Sequence, residues 1–154
     1  MRYWLTVHWP PLQEWPTPPL GVYLTDGREE AGQDLRPGDL IFIYQTKTGK
    51  TRKDAKPYRL GRQGIVFLVK AAGKIQERSE EEPERFKDGT TRWWKWQADA
   101  RLKEYGFCPR QIVCQVLGYD SNYNFRGFGE QHSGLAQLEK TEFDSLYRRF
   151  RQAF

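Results

Sequence analysis

The sequence predicts the α+β class: a small mixed β-barrel decorated with short helices, in one domain spanning residues 1–154. Short stretches with period-two apolar alternation recur along the chain, and proline- or glycine-rich segments separate them. A few short helical patterns interrupt the strands. At 154 residues and 38% hydrophobic content the chain can bury a core without disulfides or metal.

Residues Arg2 to Trp9 alternate as a strand, with Tyr3, Leu5, Val7 and Trp9 on one face and Arg2, Trp4, Thr6 and His8 on the other. The stretch Pro10 to Pro19 carries five prolines, which cannot join a sheet interior, and reads as a stiff loop. A short strand follows at Gly21-Val22-Tyr23-Leu24. Asp26 and Glu29 have capping-box spacing and predict a helix to about Leu35. Arg36-Pro37-Gly38-Asp39 is a turn. Leu40 to Thr46 is a strand with Leu40, Phe42 and Tyr44 on one side and Ile41 and Ile43 on the other. Lys47 to Gln63 reads as a basic loop, Gly64 to Ala72 as the next strand, and the glutamate-rich stretch with Pro83 as a solvated excursion.

Strand character resumes at Trp93, where Trp94, Trp96, Ala98, Ala100 and Leu102 share one face and point inward. Trp93 and Lys95 share the other. Pro109 opens an amphipathic helix over Ile112, Val113, Val116 and Leu117, and Gly118 stops it. Cys108 and Cys114, six apart on that expected helix, would point to opposite faces and stay reduced. Tyr119 to Gly129 is an aromatic loop. A last helix, capped by Thr141, buries Phe143, Leu146, Tyr147 and Phe150 and leaves Arg148, Arg149 and Arg151 outside.

The net charge of +5 and its polarisation favour a polyanionic partner. Lys47, Lys50, Arg52, Lys53, Lys56, Arg59 and Arg62 crowd one segment, and Glu77, Glu80, Glu81, Glu82 and Glu84 another. The longest apolar run, Gly64 to Val69, is too short to cross a bilayer, and the N-terminus lacks a secretory signal's apolar stretch. A cytoplasmic protein without membrane partners is expected.

The order of strand Tyr3-Trp4-Leu5, proline-marked loop, Gly21-Val22-Tyr23, small helix, Pro37-Gly38-Asp39 with Leu40 to Tyr44, Gly64-Ile65-Val66 and a late tryptophan strand resembles the PUA-like superfamily. The EVE domains, related to YTH and ASCH domains, are the nearest members. The resemblance implies a small β-barrel with short helices and an aromatic-walled pocket for a modified base. Where many EVE domains end the first strand in a Lys-Ser-Glu-Pro-like sequence, this chain has Val7-His8-Trp9-Pro10. That puts an aromatic platform in place of a small polar residue.

An extruded base needs flat apolar walls, donors and acceptors at its edge, and cations for adjacent phosphates. Trp9 and Trp93 are the stacking candidates, Tyr44 a third wall or a hydroxyl donor, and His8 and Asn124 the edge readers. Lys47, Lys50, Arg52, Lys53, Arg62 and Arg126 are the phosphate candidates. The resulting expectation is a reader of DNA or RNA carrying a modified base, such as methylated cytosine or adenine, working alone or beside an effector nuclease. An ASCH-like nuclease or hydrolase, and a protein-interaction module using Tyr119 to Phe128, are the alternatives. His8 and His132 fit no metal-ligand spacing, and no nucleophile elbow or phosphate-cradling glycine motif is present, so neither metal nor cofactor is expected.

Overall fold

The structure is a computed structural model that describes residues 1–10, 20–50, 60–78, 83–128 and 134–152. Its frame is a five-stranded sheet in the order β10-β1-β3-β4-β9. The strands are β1 (Tyr3–His8), β3 (Leu40–Gln45), β4 (Gly64–Ala71), β9 (Ala100–Pro109) and β10 (Leu135–Leu138). The β1–β3 pair is parallel and the others are antiparallel. A second sheet joins β2 (Val22–Leu24), β8 (Trp96–Ala98) and β5 (Gln76–Glu77), and a two-stranded ribbon pairs β6 (Glu84–Arg85) with β7 (Thr91–Arg92). The described strands fall into three sheets, not closed into one continuous barrel but loosely consistent with the small mixed barrel expected.

Both faces of the main sheet are covered, because both alternation sets along β3 and β4 are largely apolar and β1 adds Leu5 to one face and Trp4 to the other. Leu5, Phe42, Tyr44, Ile65 and Leu68 pack under helices α1 (Arg110–Leu117) and α2 (Lys140–Arg151). Trp4, Ile41, Ile43 and Val69 pack on the opposite face against Val22, Leu24 and Ala98 of the second sheet. Trp4, assigned by alternation to the strand's polar face, is therefore a core indole at 3% exposure. A charge-assisted bond makes this burial tolerable: its Nε1–H donates to Asp39 Oδ2 at 3.0 Å.

Several boundaries differ from the expectations. Asp26 does not cap a helix; a turn leads into a single 3-10 turn at Glu29–Gly32. The tryptophan strand is broken at Asp99 between β8 and β9, and Trp93 to Lys95 lie outside any strand. β9 runs on through Cys108, so the two cysteines sit on a strand and a helix rather than on one helix. Both are buried thiols, and burial pushes Cys108 up to about 12. Pro109 and Gly118 bound α1 as expected, Gly118 taking the left-handed conformation at φ 72°. α2 starts one residue before Thr141, with Glu139 and Glu142 in a reciprocal capping box. Leu135–Leu138 had no strand signal, yet it forms the sheet edge beside β1.

Two aromatic side chains of the loop after α1 belong to the core. Phe125 and Phe128 are buried, and Phe125 stacks on Tyr44 with ring centroids 3.9 Å apart. Tyr119 and Tyr123 of the same loop stay half-buried and stack on each other at 4.5 Å. Among the described residues no helix is long and apolar enough to cross a membrane.

Candidate nucleic-acid interface

A cavity of about 280 Å³ opens where the β2 end, the link from β7 to β8 and the 3-10 turn at Phe125–Gly127 meet. Tyr23, Leu24, Thr25, Asp26 and Arg28 line one side, Thr91, Arg92, Trp93 and Trp94 another, and Arg126 and Gly134 complete it. The volume lies near the lower end of the roughly 300–1,000 Å³ seen for small-molecule sites.

Local structure holds the aromatic wall. The Asp26 N–H donates to the Trp93 carbonyl at 2.9 Å, which ties the turn after β2 to the tryptophan segment. Lys95 Nζ lies 4.8 Å from the Trp93 ring centroid and 3.6 Å from both Asp26 Oδ1 and Glu77 Oε1. The ammonium thus covers one face of Trp93. The Trp93 Nε1–H is buried without a hydrogen-bond partner among the described residues. Burial raises the Tyr23 phenol, with Arg78 beside its ring opposing the rise, so the hydroxyl stays protonated at neutral pH.

Three guanidinium-bearing residues line this cavity. Arg92 is engaged with aromatic rings, 4.8 Å from the Trp9 centroid and 5.9 Å from that of Trp94. Arg28 and Arg126 make no side-chain ion pair or ring contact among the described residues. Asp26 is the one carboxylate among the lining residues, and its Oδ2 carries no partner among the described residues. The arrangement offers flat walls, two cations without an ion-pair partner among the described residues, and one carboxylate acceptor.

The sequence-derived candidates divide. Trp93 and Arg126 line the cavity. His8 stands one layer back, its ring 5.8 Å from Tyr23, and Trp9 meets Trp94 edge-on at 6.2 Å. Tyr44 is not brought to the cavity: it lies in the core under the helices, 1% exposed, and burial raises its phenol. Asn124 accepts from the Arg126 N–H at 3.1 Å and so caps its own turn.

Lys50 is held by Asp88 at 3.2 Å and Thr90 at 2.8 Å, and Arg62 stacks over Phe107 at 4.1 Å. Lys47 is exposed at the neck of the basic segment, where its carbonyl accepts from Gly61. Arg52 and Lys53 lie outside the described residues. Trp96 packs on the second core cluster as expected, whereas Trp94, expected in the core, is half-buried in the cavity wall because the strand breaks before β8. Tyr23, Asp26, Arg28 and Arg92 carried no separate signal; their convergence is tertiary.

No family model matches the sequence, and a search of curated proteins finds no match. Solved structures do match in three dimensions. A hypothetical protein from Leishmania major aligns at TM-score 0.58 and 11% identity over 99% of this chain and 96% of that one. Human THYN1, solved in complex with 5-methylcytosine-containing DNA, aligns at 0.52 and 16% over 94% of each chain. Atu2648 from Agrobacterium tumefaciens aligns at 0.52 and 14%, over 96% of this chain and 92% of that one. At these identities the likeness establishes the fold, a PUA-like α+β arrangement.

Proposed function

We propose that this chain is a nucleic-acid-binding module that holds one extruded or single-stranded base, modified by methylation, in the Tyr23–Trp93–Trp94 cavity. The observation that carries the reading is the meeting of that aromatic wall with Arg28 and Arg126, which make no side-chain ion pair among the described residues, around a cavity of about 280 Å³. Stacking of a base on an indole contributes about 1–3 kcal/mol and depends little on base identity. Selectivity then comes from the edge. Asp26 Oδ2 is an acceptor suited to an exocyclic amine, which fits cytosine or adenine better than thymine or uracil. A methyl group buried against the wall adds roughly 1 kcal/mol. Arg28 and Arg126 would neutralise the flanking phosphates.

The DNA complex of human THYN1, a protein of the same fold, agrees with a DNA ligand here. The test is titration of the protein with oligonucleotides that differ only by one methylated cytosine or adenine, at fixed salt. The modified strand should bind more tightly, and Trp93→Ala should abolish that preference. Equal affinity for all strands, unchanged in Trp93→Ala, would overturn the reading.

A further inference from the structure

Trp9 lies outside the cavity lining, yet it touches the elements that hold the wall. Its indole rests on the backbone of Gly49: a Cβ at that glycine would come within 2.5 Å of Trp9 Cγ and 2.6 Å of Cδ2. Arg92 lies beside two indoles that touch each other, 4.8 Å from the Trp9 centroid and 5.9 Å from that of Trp94. Phe86 and Trp94 meet the Trp9 ring edge-on at 5.5 and 6.2 Å. Lys50, the residue after Gly49, grips the tip of the same ribbon through Thr90 Oγ1 at 2.8 Å and Asp88 Oδ2 at 3.2 Å.

The β6–β7 ribbon pairs only Glu84 with Arg92 and Arg85 with Thr91. A ribbon that short is marginal by itself, so side-chain contacts to the body of the protein place it. Those contacts include Trp9 and Lys50, which follow the ends of β1 and β3, and the buried Phe86 ring that Trp9 meets. The ribbon and its exit carry Thr91, Arg92 and Trp94 into the cavity lining.

We infer that Trp9 is a positioning residue: seated on Gly49, it orients the Arg92 guanidinium and the Trp94 ring, so base discrimination depends on an indole that does not touch the base. The inference rests on the reading of the cavity as a base site. It also accounts for glycine at position 49, where any side chain would lift the indole off its seat.

Two measurements test it. In the free protein, the side-chain Nε–Hε NMR signal of Arg92, assigned by its loss in Arg92→Lys, should be displaced by the ring currents of the adjacent indoles. Trp9→Leu and Gly49→Ala should return it towards the position of a solvated arginine, and Trp9→Phe should retain part of the displacement. In binding, both variants should lower the ratio of modified to unmodified affinity by about fivefold, the scale of one cation–π contact. Gly49→Ala keeps every side chain and serves as the test should Trp9→Leu fail to fold. Folded variants that keep the wild-type ratio, or that leave the Arg92 signal in place, overturn the inference. If wild-type protein shows no preference for a modified base while the Arg92 signal still moves in the variants, the base-site reading fails and the positioning of Arg92 stands.

Discussion

Replacing Asp39 by alanine removes an acceptor of three hydrogen bonds that ties the start of β1 to the turn before β3. Its Oδ1 accepts from the Arg2 N–H, and its Oδ2 from the Trp4 indole N–H and the Arg36 N–H, each at 3.0 Å. The carboxylate is 4% exposed. A hydrogen bond to a charged group contributes about 1.5–3 kcal/mol, and the Trp4 donor, left buried, adds a desolvation penalty of the same order. The Arg2 and Arg36 donors are only part-buried and recover much of their loss to water. The expected cost is then about 3–4 kcal/mol, most of it from Trp4, or roughly 10 °C in Tm for a domain of this size.

The pH dependence gives an independent check on the same carboxylate. Burial alone would raise the Asp39 carboxyl, but the N–H of Arg2, the Trp4 indole and the N–H of Arg36 outweigh it and lower it below 3.8. A lowered folded-state value means that the stabilisation is present above the ordinary value and is lost as pH falls through the lowered one. Asp39→Asn should therefore flatten the wild-type loss of stability below about pH 4, apart from what other carboxylates contribute. Urea unfolding followed by tryptophan fluorescence, at pH 7 and across pH 2–4, measures both effects. An Asp39→Ala variant within about 1 kcal/mol of wild type, or an Asp39→Asn variant with the wild-type acid slope, would refute the reasoning.

If Arg28 and Arg126 each neutralise one phosphate, the Arg28→Ala/Arg126→Ala double variant should bind with a log–log salt dependence shallower by about 1.4–1.8. An unchanged slope in a salt titration would remove both from the phosphate contacts. Wild-type protein should prefer 5-methylcytosine to thymine at one position by about tenfold, since the two bases differ chiefly by an amine against a carbonyl opposite Asp26. In Asp26→Asn that preference should largely vanish; an equal preference in both proteins would show that the carboxylate does not read the base. Gly106→Ala would bring a Cβ to 2.6 Å from the Phe150 carbonyl oxygen, and should destabilise by about 1–3 kcal/mol through displacement of α2 from β9. Calorimetry showing no loss of Tm would mean that the helix end yields freely.

Local chemistry made much of the scaffold legible. Alternation along Leu40 to Gln45 sorted Phe42 and Tyr44 from Ile41 and Ile43, and each set lies in its own core cluster. Pro109 and Gly118 marked both ends of α1, because a proline lacks the N–H that a first turn leaves unpaired and a glycine accepts positive φ. Leu135–Leu138 was not legible. A four-residue edge strand owes its form to hydrogen bonds with β1, which are invisible in its own residues.

The candidate site was legible only in part. The late tryptophan strand drew Trp93 out as a stacking candidate, and Trp93 and Arg126 line the cavity. Period-two alternation sent Trp94 inward with Trp96, but the strand does not reach it, and it stands in the cavity wall. It also left Trp4 outward, where a buried carboxylate thirty-five residues away satisfies its indole N–H. By itself the sequence determined the strands β1, β3 and β4 and the helices α1 and α2, with the alternation along β3, because those depend on neighbours along the chain. The tertiary structure alone decided that both faces of the main sheet are covered and that Trp9 sits on Gly49 rather than in the cavity. It likewise brought Tyr23, Asp26, Arg28, Arg92 and Arg126 to one opening. Such a site is a set of distances between residues far apart in the chain, and those distances are set by packing, which no local pattern encodes.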